Sequence, residues 1–340
     1  MQEMNPTAPP PPDAVLMQLL MGKVPSFCLG AIARLGVADH IADEPASVEE
    51  IAKSSGTHAP SLYRVLRILS AFGVFQELPG RQFSLAPAGR LLRSDAPHSL
   101  RNMAVMQTDS WSVQSYLQLP HSIRTGGDGT TKAFGKNTFE LFRDIPDQAQ
   151  TFHAAMTDFT AVAVSALEGM FDFSPFRRLA DVGGGHGILL RGILARTPGL
   201  EGVLFDLPEV VAGAPDAPRL SKQGGSFFER VPDGCDAFLM KNIIHDWDDG
   251  SCRRVLALMR DVLAKTAPEN GRVFVYDMLV GDEPGPTFAK LLDIEMLVNT
   301  SGGKERTKAE FDELVGAVGM EIAAVHPTRG PLCLIEIRLS

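Results

Sequence analysis

One stretch constrains this chain more than any other. Leu179–Val182 reads as a short apolar strand that runs into Gly183, Gly184, Gly185, His186 and Gly187, then into an apolar helix over Ile188–Ala195. A strand that turns through glycines into a helix belongs in a doubly wound, mostly parallel α/β sheet, where ligands bind outside the carboxyl ends of the strands. Glycines at such a turn let the backbone approach a ligand without side-chain collision. A tight turn with no ligand is the alternative.

The spacing is GxGxG, which differs from the GxGxxG that seats a dinucleotide pyrophosphate on a helix N-terminus. Asp181, two positions before the first glycine, suits a cofactor with a cationic amino-acid end, a description that fits S-adenosylmethionine. Further strands are expected near Val203–Phe205, Ala237–Met240 and Val273–Tyr276, with late ones near Ile322–Val325 and Cys333–Ile337. Asp206 ends the second strand about twenty residues past the turn, where a carboxylate can take both hydroxyls of a ribose; capping of the segment that begins Leu207-Pro208 is the plainer role.

The third strand runs into Lys241, Asn242, Ile243, Ile244, His245, Asp246, Trp247, Asp248 and Asp249. His245 falls where reactants meet in such a sheet and can remove a hydroxyl proton near neutral pH. With a sulfonium already activating the methyl group, an enzyme needs only to align an oxygen and take its proton. A carboxylate bonded to the histidine would fix its tautomer and favour its charged form. Asp277, closing the next strand, and Glu305, in the loop Gly302–Arg306, are the candidates, each with a solvated surface charge as the alternative. The acids Asp246, Asp248 and Asp249 invite a magnesium reading, but carboxylates at a helix start explain them with less. No metal is expected.

The N-terminal part has a different grammar. Residues 1–13 are proline-rich and lack the basic and apolar regions of a signal peptide, so an extended arm is expected. Ser47 and Glu50 have capping-box spacing before a helix through Ala52 that Gly56 can end. Leu62, Val65, Leu66, Leu69 and Phe72 recur at helical intervals as one buried stripe, and Gly73 stops that helix. Val74–Leu85 alternates around Pro79 and Gly80 as a hairpin. This order makes residues 14–100 a winged-helix unit. Residues 101–340 then hold linker helices, a glycine- and threonine-rich loop near Gly126–Thr131, and the α/β unit.

A winged helix can enter a DNA major groove, but here it offers Arg64 and Arg67 and little else that is basic. The formal net charge is -9, so no nucleic-acid partner is expected. A winged-helix regulator that senses a small ligand is the non-enzymatic rival. No window reaches the roughly 18 uninterrupted apolar residues of a membrane span. The four cysteines, Cys28, Cys235, Cys252 and Cys333, lie far apart, as reduced thiols of a soluble cytoplasmic protein would.

DVGGGHG, FDLPEVV, LMKNIIHDWDD and GGKERT together resemble the plant caffeate/flavonoid-type and bacterial polyketide- or phenazine-type small-molecule O-methyltransferases, over nearly the whole chain. The resemblance implies a class I methyltransferase fold behind an N-terminal dimerisation domain, hence a homodimer. It also implies S-adenosylmethionine as donor, S-adenosylhomocysteine as product, and the hydroxyl of a small aromatic as acceptor. It assigns His245 as general base flanked by Asp277 and Glu305, Asp277 standing where plant members have glutamate. Asp181, Gly183, Gly185, Asp206, Ser226, Phe227, Lys241 and Thr160 fall on cofactor positions, with Ser226 replacing an aspartate. Phe152, Met156, Asp246, Met296, Asn299 and Thr300 fall on acceptor positions. The same scaffold also serves N-methyltransferases and a few members that do not methylate, which is the alternative chemistry.

Overall fold

The computed structural model describes residues 11–340. The expected arm therefore lies outside the described residues as far as residue 10, while Pro12 and Asp13 already belong to a helix, Pro12–Met21. Two compact units are present: the described residues up to Ser110 together with Asp147–Asp158, and Trp111–Pro146 together with Phe159–Ser340.

In the first unit the local signals act as written. Ser47 accepts from the Glu50 amide and Glu50 reaches back to Ser47, starting a helix at Val48–Ser55 that ends on the left-handed Gly56. The next helix, Ala59–Ala71, buries Leu62, Leu66 and Leu69. Phe72 departs from the expected stripe and is 61% exposed, because the helix stops at Ala71 and Phe72 is its cap. Strands β1 (Ala46–Ser47), β2 (Phe75–Leu78) and β3 (Gln82–Leu85) form an antiparallel sheet in the order β1-β3-β2. Residues 101–110 group with this unit. Arg101 donates to Ala33 O and Asp39, and Arg34 donates to Asp109 and Val105 O, tying the helix Arg101–Met106 to Lys23–Arg34.

The helices Pro12–Met21 and Lys23–Arg34 meet at Gly22, and within this 23-residue run an 18-residue stretch has a mean hydropathy of 1.6. By length and composition the run is apolar enough to cross a membrane, while Asp13, Gln18, Lys23 and Ser26 interrupt it, so it holds no 18 uninterrupted apolar residues. Leu16, Leu19 and Leu20 are exposed on the single chain.

The second unit is built on β4 (Arg178–Val182), β5 (Glu201–Asp206), β6 (Leu220–Gly224), β7 (Ala237–Lys241), β8 (Arg272–Asp277), β9 (Met320–Pro327) and β10 (Cys333–Leu339). Their order is β6-β5-β4-β7-β8-β10-β9, with β4 to β8 parallel and β10 antiparallel to both neighbours. Alternate residues of one strand feed opposite cores: Phe238 and Met240 pack with Leu256 and Phe311, whereas Ala237 and Leu239 pack with Leu190 and Tyr276. Edge strand β6, LSKQG, has no apolar run and was not expected from the sequence. The Gly126–Thr131 stretch is not all loop, since Asp128 caps a helix at Gly129–Phe134 by accepting from Thr131 N. Successive strands are added on one side of β4 as β5 and β6 and on the other as β7 and β8, so the crevice beyond β4 and β7 is the topological switch point.

Candidate active site

The cofactor end of this crevice is made by the turn after β4. Gly185 has φ +57, and a Cβ there would meet nothing within 4 Å, leaving its outer face open to a ligand. Gly184 is packed from below, where a Cβ would stand 2.6 Å from Asp181 Cγ and from Leu204 Cδ1. Asp206, at the end of β5, accepts from Gly185 N at 2.8 Å and from Leu207 N at 2.7 Å. Asp206 therefore braces the glycine turn, whereas the helix Pro208–Ala212 is capped at Leu207 without a side-chain bond, so capping is not its role; each carboxylate oxygen keeps a lone pair for a further donor. Gly183 lies against Ile243 and Phe227. Phe227 packs with Phe228 and Trp247 as an aromatic wall, while Ser226 Oγ accepts from Phe228 N.

Asp181 is sealed beneath the glycine turn, and burial, only partly offset by Lys241, raises its pKa to about 7. Lys241 closes β7 with Nζ 5.5 Å from the centre of the Phe159 ring. Burial lowers its pKa to about 8 against the pull of Asp277, Asp181 and Asp246. Thr160 follows Phe159 on the helix Pro146–Leu167.

The other end follows directly from β7. Asn242 takes a left-handed φ of +53, which asparagine tolerates better than most residues, and its amide donates to Asp277 Oδ1 at 2.7 Å. A short turn, Ile244–Asp246, then brings His245 into the interior at 7% exposure. Its Nδ1 lies 2.6 Å from Glu305 Oε1, and its Nε2 lies 3.5 Å from Asp246 Oδ1. With Nδ1–H donating to Glu305, Nε2 is the nitrogen left to exchange a proton with an acceptor. Burial alone would lower the imidazole pKa, but Asp246, the Glu305 hydrogen bond and the charge of Asp277 raise it to about 9. Asp277 thus acts on His245 through its charge while its own bond goes to Asn242, and burial raises its pKa to about 6.

Asp181 Oδ2, Asn242 Oδ1, Asp277 Oδ2 and Glu305 Oε2 are buried without a hydrogen-bond partner in the protein. All four are acceptors, so what this interior lacks is a donor or a cation. A sulfonium with an ammonium group fits that deficit, and the open turn at Gly185 and the free lone pairs of Asp206 fit its nucleoside.

The three acids after His245 go to three places. Asp246 faces the imidazole, Asp248 caps the helix Asp249–Thr266 by accepting from Ser251 N, and Asp249 pairs with Arg306. Helix-start chemistry accounts for the last two but not for Asp246, which sits in the preceding turn. Met296 is buried on the helix Phe288–Asn299. At its end the Asn299 amide accepts from Thr130 and donates to Glu295, and Thr300 donates to Met296 O. Phe152 and Met156 lie on the stretch Asp147–Asp158, which belongs to the first unit.

Two residues that the sequence reading passed over hold this end together. Arg306, 1% exposed, bonds to the turn that carries His245. Asp293 accepts from Glu305 N at 3.0 Å. The position of Arg306 beside Glu305 in GGKERT was the one available signal.

Sheet order, glycine turn and Asp206 define a class I S-adenosylmethionine-dependent methyltransferase. An O-methyltransferase domain model matches residues 116–321 and an O-methyltransferase dimerisation domain model matches residues 17–95, so the chain belongs to the O-methyltransferase family. It is 34% identical to the phenazine O-methyltransferase of Lysobacter antibioticus over 99% of both chains. It is 33% identical to the 8-amino-8-demethylriboflavin N,N-dimethyltransferase of Streptomyces davaonensis, covering 92% of this chain and 91% of that one. Among solved structures, a methyltransferase of calicheamicin biosynthesis bound to S-adenosylhomocysteine is 32% identical with a TM-score of 0.88, covering 96% of this chain and 98% of that one. The protein is an S-adenosylmethionine-dependent O-methyltransferase.

Proposed function

We propose that the enzyme methylates a hydroxyl of a small aromatic molecule with His245 as the general base, acting as a homodimer through its N-terminal domain. The observation that carries the base assignment is the 2.6 Å contact between His245 Nδ1 and Glu305, which leaves Nε2, 3.5 Å from Asp246, as the nitrogen to take a proton. The bound donor supplies an electrophilic methyl group on a cationic sulfur. Asp206 and the Gly185 turn hold its nucleoside. The aromatic wall of Phe227, Phe228 and Trp247 excludes water from one side. Glu305 keeps the imidazole oriented, and Nε2 takes the acceptor's proton as the oxygen attacks in line. Asp277 and Asp246 lower the cost of the imidazolium that results.

Phenazine and riboflavin, in the names of two relatives, are planar fused-ring aromatics, which supports a flat acceptor. The second of these relatives methylates nitrogen. An amine attacks without prior loss of a proton, so the buried carboxylate–imidazole pair favours oxygen here. The dimerisation-domain match and the exposed Leu16, Leu19 and Leu20 support the dimer. Free cysteines at Cys28, Cys235, Cys252 and Cys333 suit a reducing, cytoplasmic compartment.

The test is His245→Ala assayed on a panel of phenolic acceptors. Turnover is expected to fall by about 10²–10⁴-fold with cofactor binding retained; undiminished turnover would remove His245 from this role. Mass spectrometry of the product must show the gain of one methylene unit.

A further inference from the structure

We propose that Arg306 is a positioning residue that clamps the His245 turn to the strap carrying Glu305, and thereby sets the geometry of the base. The proposal rests on the reading of His245 as base, and the experiment below separates the two.

Arg306 ranks among the largest fully buried side chains of the protein, at 1% exposure. Its Nη1 donates to Ile244 O at 2.9 Å and its Nη2 to Trp247 O at 2.9 Å, so one guanidinium grips the backbone on both sides of His245. Asp249 Oδ1 accepts from Nη2 at 2.7 Å and from Nε at 3.1 Å. Asp249 is the first residue of the helix that follows the turn, so the clamp reaches from the turn into a regular element.

The strap is fastened with equal care. Lys304 N donates to His245 O at 2.9 Å, Glu305 N donates to Asp293 at 3.0 Å, and Val280 N donates to Arg306 O at 2.9 Å. The main chain is thus held at Glu305 and on both sides of it, which fixes where its side chain starts toward the imidazole. His245 and Glu305 come from loops sixty residues apart. No regular ladder joins their backbones at this point; the Arg306 fork and the Lys304 amide do.

A planar fork with five donors can serve two carbonyls and a carboxylate at once, whereas the point charge of lysine cannot hold that geometry. Arg306→Lys therefore keeps the buried charge and loses the clamp. Small misplacement of a catalytic group is enough to cost about 100-fold in rate.

The experiment uses the full chain with 15N-labelled histidine and compares Arg306→Lys, Asp249→Ala and the parent. One readout is the downfield ring proton of His245 held by Glu305, identified by its change in Glu305→Gln. The other is steady-state kinetics. We expect Arg306→Lys to bind S-adenosylhomocysteine as the parent does, to lose or shift that proton, and to lower kcat by about 10–100-fold with the KM for the donor unchanged. An unchanged ring proton and unchanged kcat would overturn the clamp. Should Arg306→Lys fail to fold, Asp249→Ala decides: the ring proton must shift, and its persistence at the parent position overturns the proposal. Loss of the proton in Arg306→Lys with full turnover in His245→Ala would sink the base assignment and leave the clamp standing.

Discussion

The two ends of the crevice are built by opposite means. At the cofactor end, β4, the glycine turn and Asp206 fall within one short run of sequence, and the binding features are open backbone and a carboxylate already braced by two amides. At the His245 end, residues from four separate segments meet: the buried His245, Asp277, Glu305 and Arg306, with the partly buried Asn242 and Asp293 bonding to Asp277 and Glu305. Backbone can be laid down locally, whereas compensation of buried charge needs partners from every side. Substitutions at the first end should therefore change how tightly the donor binds, and those at the second how fast the bound donor is used.

Asp206→Ala gives the largest expected effect on that contrast. It removes the brace on Gly185 and the carboxylate proposed to take the ribose hydroxyls, so the Kd for S-adenosylhomocysteine by calorimetry should rise roughly 100-fold. At saturating donor kcat should be nearly restored. A kcat that stays low at saturation would mean the two ends are not separable.

Glu305→Gln is the counterpart. The amide can still accept from Nδ1–H, but the charge that steadies the imidazolium is gone, and kcat should fall by about tenfold. Donor affinity should not move. A weakened Kd here would merge the two ends.

A finer distinction comes from pH. His245 has its pKa raised from 6.5 to about 9 in the ligand-free chain, so the neutral imidazole that base action needs becomes abundant only on the alkaline side. The sign is that of a raised cationic group: its contribution to stability is complete below pH 6.5 and is lost as pH rises through about 9. The rate limb rises over the same range. Asp246→Asn removes the foremost charge that holds this proton, so the rising limb of kcat/KM should move to lower pH. A limb that stays in place would show that Asp246 does not govern the base.

The same contrast explains what could be read from the sequence. The β4 turn, Asp206 and the capping box of Ser47 were legible because each is a local pattern with a local cause. His245 and Glu305 were legible as candidates, but their pairing depends on a strap sixty residues away. Arg306 and Asp293 were not legible, since nothing in a one-dimensional pattern says that a guanidinium is buried against two carbonyls. Strand β6 escaped because an edge strand need not be apolar, and its residues Ser221, Lys222 and Gln223 show no periodicity. Phe72 was misread for a similar reason: helical spacing continues past the point where Gly73 turns the chain away.

The smallest expected effect tests whether the acids beside His245 act as one group. Asp248 accepts from Ser251 N at 3.0 Å and Asp249 is paired with Arg306, so neither carboxylate is left over to share a divalent ion with Asp246. Asp248→Ala should then behave as the loss of a helix cap alone. Stability by thermal or urea unfolding should drop by about 1 kcal/mol, while kcat, the donor Kd and the pH limb remain those of the parent. Activity should also withstand a chelator. Inactivation by the chelator, with a matching loss of kcat in Asp248→Ala, would make the three acids a metal site and transfer part of the work assigned to His245 to that ion.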